Sequence, residues 1–271
     1  METVSVIVPI YNQAQYLRAC LDSIWFQDYP GHIEIIVVND GSTDDTARII
    51  SGFETDLTEA RASYASRYDD LTDTIERVHH KRYPKENRAL RIIHHEQNRG
   101  LAPALNTGFK ACAGKYCTYV PSDDRCAPHM IAELTAALDN GYDFSFSDML
   151  IVDETGCVTR RFTLPTYSFQ ANFANWYLCG VSKLYRRELH ELHGWYDESL
   201  LAHDHDLFQR FAEAGASFMH VPKALMYVLS HDGAREVDIH APSNWNRLLE
   251  ESKSLTRRAR TFRGSPIEAE L

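Results

Sequence analysis

Val4-Ser5-Val6-Ile7-Val8-Pro9-Ile10-Tyr11-Asn12, answered further along by Ile33-Glu34-Ile35-Ile36-Val37-Val38-Asn39-Asp40-Gly41, decides the fold. Val4 to Val8 is a β-branched apolar run that stops at Pro9, the pattern of a strand covered on both faces. Leu17, Cys20, Leu21 and Ile24 then recur at helical spacing, which predicts an amphipathic helix over 14–26. Ile33 to Val38 is a second buried strand. Ser42 or Thr43 offers a cap for the helix after it, with Asp44 and Asp45 in its first turn. Strand, helix, strand, helix at this spacing means βαβ units and a parallel sheet.

Working outward, residues 51–89 break the rhythm. They are charged, and Tyr64, Tyr68, Leu71 and Ile75 fall near helical spacing, so they read as an inserted helical pair on the surface. The alternation resumes with a strand at Ile92-Ile93, a helix over 101–112 and a strand from Tyr116 to Val120. A helix follows Pro128, with Met130, Ile131, Leu134 and Leu138 on its apolar face. Phe144–Phe146 is a further short strand, and 153–156 is a turn between extended segments. Leu207, Phe208 and Phe211 mark a helix ending at Gly215, and Phe218 to Val228 is a strand interrupted by Pro222. The expected class is α/β, a Rossmann-like, mostly parallel sheet flanked by helices. Residues 1–125 would form a donor-binding half and 126–235 an acceptor-binding half of one domain, with a polar C-terminal tail over 236–271.

The chain has 271 residues, 44% of them apolar, and a net charge of −10. That supports a sizeable core and argues against a nucleic-acid surface. No apolar run approaches the roughly 20 residues of a membrane span, and the first residues lack the basic start of a signal peptide. The six cysteines show no paired spacing, as expected of reduced thiols in a cytoplasmic protein. The tail carries Arg257-Arg258-Ala259-Arg260 and reads as a solvated segment, with a partner site or a peripheral contact at the inner face of the membrane as the other readings.

In a doubly wound sheet, ligands bind beyond the carboxyl ends of the strands. The first strand is followed by Pro9-Ile10-Tyr11-Asn12, the second by Asn39-Asp40-Gly41, and a later one by Pro121-Ser122-Asp123-Asp124. An aromatic ring, a carboxylate and an acidic pair thus converge on one rim. Tyr11 can stack on a base and Asp40 can accept from a base N–H. Asp123 and Asp124 can hold a hard cation through oxygen, and that cation can bridge a diphosphate. Each also has a duller reading: a rim aromatic, a turn residue, helix caps.

These segments resemble the inverting glycosyltransferases of family 2, which have the GT-A fold. The resemblance rests on 4–12, on Val37-Val38-Asn39-Asp40-Gly41-Ser42-Thr43-Asp44-Asp45-Thr46, on Asn98-Arg99-Gly100-Leu101-Ala102-Pro103-Ala104-Leu105-Asn106-Thr107-Gly108, on the acidic motif at 121–124, and on the stretch 194–207 that includes His203-Asp204-His205-Asp206. It implies a nucleotide-sugar donor, uridine diphosphate favoured, a divalent metal (Mn or Mg), and a saccharide or lipid-linked saccharide acceptor, as in polysaccharide biosynthesis. Pro9, Tyr11, Asn12, Asp40, Arg99 and Asp123 would bind the donor. Asp123, Asp124 and His231 would serve the metal or diphosphate. Asp204 would be the general base, with His203 and Trp195 on the acceptor side. Two positions depart from the family pattern: Pro121 stands where an acidic residue is usual, and His203 where glutamate precedes the base. They keep a non-catalytic nucleotide-sugar binding module in view. A nucleotidyltransferase is disfavoured by the lack of a glycine-rich phosphate loop after the first strand. A metal-hydrolase cluster at 203–206 is disfavoured because a helix begins there. His79, His80, His94 and His95 read as surface or strand-end histidines.

Overall fold

The computed structural model describes residues 1–58, 62–81, 83–231 and 242–262. The first half alternates as its sequence demands. Strand β1 (Val4–Ile10) leads to helix α1 (Ala14–Trp25), β2 (Ile33–Asn39) and α2 (Thr46–Thr58). After an excursion come β5 (Arg88–His94), α3 (Leu101–Ala111) and β6 (Tyr116–Tyr119). Strands β5, β2, β1 and β6 lie side by side, all parallel. Val4, Val6, Ile7 and Val8 are fully buried, as a strand covered by helices on both faces must be. Pro9 does not end β1: it stays in register opposite Val38, and the strand runs on to Ile10.

The excursion is not helical. Residues Ala62–Asp69 and Thr74–Lys81 form an antiparallel hairpin, β3 and β4, separate from the main sheet. Tyr68, Leu71 and Ile75 are exposed. Asp69 accepts from the Leu71 amide at the turn, and Asp73 takes the left-handed conformation that closes it. The helical spacing of Tyr64, Tyr68, Leu71 and Ile75 was a coincidence of two short strands and a turn.

The second half is mixed. Strand β7 (Arg125–Cys126) and α4 (Met130–Asp139) precede β8 (Phe144–Val152) and its hairpin partner β9 (Val158–Phe162). A π-helical turn at Gln170–Ala174, β10 (Lys183–Arg186), α5 (Glu188–His193), α6 (His203–Glu213) and β11 (Phe218–Leu229) come next. Strand β10 inserts antiparallel between β6 and β8, so the order across the sheet is β5-β2-β1-β6-β10-β8-β11-β7. Parallel pairing thus governs the first half and mixed pairing the second.

The tail is not solvated throughout. Pro242–Thr261 is a 20-residue helix, α7, whose Ser252, Leu255, Thr256 and Ala259 are buried. Arg258 pairs with Asp206 and Glu213, and Arg260 donates to the Ala174 carbonyl. Two of the three arginines that suggested a membrane contact are therefore spent inside the molecule. Residues 236–241 and 263–271 lie outside those described.

Candidate functional site

The carboxyl ends of β1 and β2 are laced together by the protein's own side chains. Asn12 takes the left-handed conformation (φ 52°) and its side-chain oxygen accepts from the Thr43 amide at 2.8 Å and the Asp44 amide at 3.3 Å. Ser42 accepts from the Asn12 amide in return. Asp44 caps two helices, receiving the Thr46 amide on one oxygen and the Ala14 amide on the other. The expected cap at Ser42 or Thr43 is therefore supplied by Asp44, and the Asn12 side-chain oxygen ties the two loops together.

Asp40, at the end of β2, is 3% exposed. Its carboxylate accepts from the Arg99 amide (3.0 and 3.1 Å), the Gly100 amide (2.8 Å) and His95 Nδ1 (2.6 Å). His95 bridges on to Thr107, so it is a buried strut and not a surface histidine. Asp40 thereby fixes the loop that carries Arg99. Gly41, at φ 69°, leaves no room for a side chain: a Cβ there would stand 2.4 Å from the Gln97 carbonyl carbon.

Pro9, Tyr11, Asn12, Gln13, Asp40 and Asn98–Ala104 line one cavity of about 580 Å³, and Glu198, Leu200, Leu201, His203 and Asn244 line its other side. Tyr11 is 45% exposed at the rim. The motifs after β1 and β2 and the Arg99 loop are thus brought to one hollow, whereas the acidic motif at 121–124 is not part of its lining.

The two acidic neighbours part company. Asp123 accepts from Gln13 Nε2 at 2.8 Å and faces His231 Nε2 at 3.1 Å, with His231 packed on the Tyr16 ring. Asp124 is 4% exposed and accepts from the Leu229 amide. Burial, with Asp123 adding to it, pushes the Asp124 carboxyl well above the usual carboxylate range. Asp124 is used to seat the end of β11, which leaves Asp123 the more accessible of the two carboxylates. Asp123 and His231 could hold a divalent cation through oxygen and nitrogen. Among the described residues no group of three or more His, Cys, Asp or Glu forms a self-sufficient metal cage.

Asp204 lies in the first turn of α6, where the helix dipole favours a carboxylate. It accepts from Tyr119 Oη at 2.5 Å and stands 3.6 Å from Lys183 Nζ. The loop before it is held from two directions. Asn106 of α3 exchanges hydrogen bonds with the Tyr196 backbone and donates to Glu198. Glu251 of α7 accepts from the Leu201 and Ala202 amides at 2.7 and 2.9 Å. His205 turns inward against Tyr177 and Phe173, and Asp206 pairs with Arg210 and Arg258, so the four residues at 203–206 do not converge on one ion. Trp195 does not line the cavity. The chain reverses at Gly194 (φ 88°), and the indole stacks on His190 at 4.8 Å beneath Lys110.

Sequence reasoning missed Gln13, Asn106, Tyr119, Lys183 and Glu251. Lys183 left little signal, since its short strand, Lys183-Leu184-Tyr185-Arg186, reads as an ordinary segment with a cation at each end.

The model of glycosyl transferase family 2 matches residues 5–67 and 65–193. The chain is 30% identical over 224 residues to the uncharacterized glycosyltransferase EpsJ of Bacillus subtilis, covering 78% of this chain and 53% of that one. Two further curated relatives are spanned for 13% and 42% of their length, so the chain corresponds to part of each. The fold is that of S. aureus TarS 1–349 in complex with UDP-GlcNAc (TM-score 0.68, 20% identity, 93% of this chain and 66% of that one). It is also that of the mannosyltransferase PcManGT from Pyrobaculum calidifontis in complex with GDP-Man and Mn2+ (TM-score 0.64, 19% identity, 98% and 66%). The architecture is therefore GT-A, and the chain belongs to glycosyl transferase family 2. No helix among the described residues is long and apolar enough to cross a membrane.

Proposed function

We propose that this chain transfers a sugar from a nucleoside diphosphate sugar, with uridine the favoured base, to an acceptor hydroxyl with inversion at the anomeric carbon. One observation carries the reading: Pro9, Tyr11, Asn12, Asp40 and Arg99 line the same cavity as the loop that leads to Asp204. Tyr11 supplies a ring for the base at the rim, and Asp40 holds the loop from which Arg99 reaches the diphosphate. Asp123 and His231 would hold a divalent metal, which when bound neutralises charge on the departing diphosphate. Such a cation matters in a chain of net charge −10 whose cavity lining includes one arginine and no lysine. Asp204 takes the proton as the acceptor O–H bond breaks. The acceptor oxygen bonds to the anomeric carbon, and the bond to the nucleoside diphosphate leaves with its electron pair. A saccharide or lipid-linked saccharide is the acceptor class.

Uridine draws support from the UDP-GlcNAc complex of TarS, and GDP-Man in PcManGT supplies the competing base. Titration calorimetry with UDP and GDP, with and without Mn2+, tests both points. UDP should bind more tightly than GDP, and chelation should weaken it. Equal affinities, or full-strength binding in chelator, would overturn the base or the metal assignment respectively.

A further inference from the structure

Lys183 sits on β10, in the middle of the sheet, opposite Phe146 in register, and is fully buried. Its ammonium lies 4.0 Å from the Tyr119 ring centroid and 5.2 Å from that of Phe208. It makes no hydrogen bond among the described residues. Taking a lysine out of water without an acceptor costs several kcal/mol unless a charge answers it. The answering groups can be enumerated. Asp204 of α6 is 3.6 Å away. Tyr177, Cys179, Tyr185 and Tyr196 surround the pair, and burial pushes all four above their ordinary ranges, so they stay protonated and neutral. Asp124, more distant, is also pushed up by burial. Burial draws the lysine itself below its ordinary range, and Asp204 is the first influence pulling it back. The carboxylate that neutralises Lys183 is therefore Asp204.

The ammonium also holds a direction. It approaches Asp204 Oδ2, the same oxygen that receives the Tyr119 hydroxyl, and Tyr119 presents its ring to the ammonium and its hydroxyl to the carboxylate. One carboxylate oxygen is thus anchored from the sheet side by a cation and a phenol.

We propose that Lys183 is a positioning residue for Asp204, a buried cation in the sheet that keeps the carboxylate ionised and anchors its Oδ2 from the sheet side. The proposal rests on the reading of Asp204 as the base, and it adds the group that sets the base's ionisation. A carboxylate set among aromatic rings with no cation beside it would otherwise rise in pKa and arrive already protonated.

The test is the titration of Asp204 itself, followed in the full chain labelled with [γ-13C]aspartate, its resonance identified by its loss in Asp204→Asn. Lys183→Met should raise the midpoint of Asp204 by about 1–3 pH units, whereas Lys183→Arg, which keeps the charge, should leave it near the parent value. An unchanged midpoint in Lys183→Met overturns the proposal. If Lys183→Met does not fold, the double variant Lys183→Met/Asp204→Asn decides, because it removes both charges together. A folded double variant supports the pairing, and an unfolded one shows that the lysine serves packing alone. Titration reads the pair independently of turnover. Should Asp204→Asn transfer sugar normally, the base assignment falls while the measured coupling stands.

Discussion

Two carboxylates, Asp40 in the cavity lining and Asp204 next to the lining residue His203, are held in opposite ways. Asp40 is wrapped by two backbone amides and an imidazole, donors fixed by the path of the chain. Asp204 is met by a phenol and an ammonium, both side-chain groups that can reorient or exchange protons. A carboxylate bonded to amides that have no other acceptor cannot take up a proton without releasing a loop. A carboxylate bonded to a hydroxyl can, since the hydroxyl can turn and accept. The contrast separates a residue that builds the cleft from one whose setting suits the proposed proton transfer.

The largest expected effects come from giving both residues the same change. Asp204→Asn should keep the fold and the donor affinity while turnover falls by roughly 10²–10⁴-fold, because only the proton step loses its base. Asparagine is also a good helix-start residue, so a merely structural Asp204 would show no such loss. Asp40→Asn should do the reverse. Its amide would turn N–H groups toward the Arg99 and Gly100 amides or abandon one of them, costing about 2–4 kcal/mol of stability and loosening nucleotide binding. Steady-state transfer rates, calorimetry and urea unfolding on the two variants measure this. If Asp40→Asn were stable and bound nucleotide normally, or Asp204→Asn turned over normally, the contrast would be broken.

The same contrast marks what could be read from sequence. Asp40 was legible because strand ends are legible: β1 and β2 are runs buried on both faces, and the residues just past the carboxyl end of such a run in a parallel sheet must face the ligand side. Its hydrogen-bond partners were not, since backbone amides at 99 and 100 carry no residue signature. Asp204 was found only through the family pattern. Its surroundings come from β6, β10, α6 and α7, whose assembly depends on mixed pairing that no local period encodes. Helix α7 escaped for a plainer reason. Its buried face is Ser252, Leu255, Thr256 and Ala259, half hydroxyl residues, and its energetics lie in ion pairs with α6. The hairpin was misread because the spacing of Tyr64, Tyr68, Leu71 and Ile75 suits a helix, while turn residues Asp69–Asp73 carried the truer signal.

A smaller effect sharpens the distinction among the acids at the end of β6. Asp123→Asn should remove most of the stimulation of nucleotide binding by Mn2+, by about 10–100-fold, since it takes away the charged oxygen set beside His231. Asp124→Asn should leave that stimulation nearly intact, because its carboxyl is buried against the Leu229 amide. Calorimetry across a manganese series separates the two. Equal loss in both variants would mean that Asp124 reaches the metal after all.

The smallest effect concerns the helix that carries Asp204. His205 is 3% exposed, its ring nitrogens make no hydrogen bond among the described residues, and burial draws its pKa down to about 4. His190 is drawn down to about 4 for the same reason. The sign comes from linkage. Each histidine is harder to protonate folded than unfolded, so its contribution to stability is complete above the unfolded value of about 6.5 and is lost as pH falls toward about 4. Between pH 7 and pH 5 each should withdraw about 1–2 kcal/mol. His205→Phe keeps the stack on Tyr177 and Phe173. It removes only the titration, so the fall in unfolding free energy over that range should be smaller than the parent's by about 1–2 kcal/mol. Asp124 titrates with the opposite sign, its folded pKa being raised, but it is common to both proteins and cancels in the difference. Urea unfolding at pH 7, 6 and 5 gives the slopes. An unchanged slope in His205→Phe would mean that the imidazole finds a proton acceptor within the fold. The first turn of α6 would then contain a second titrating group beside Asp204, and the base could no longer be assigned to the carboxylate alone.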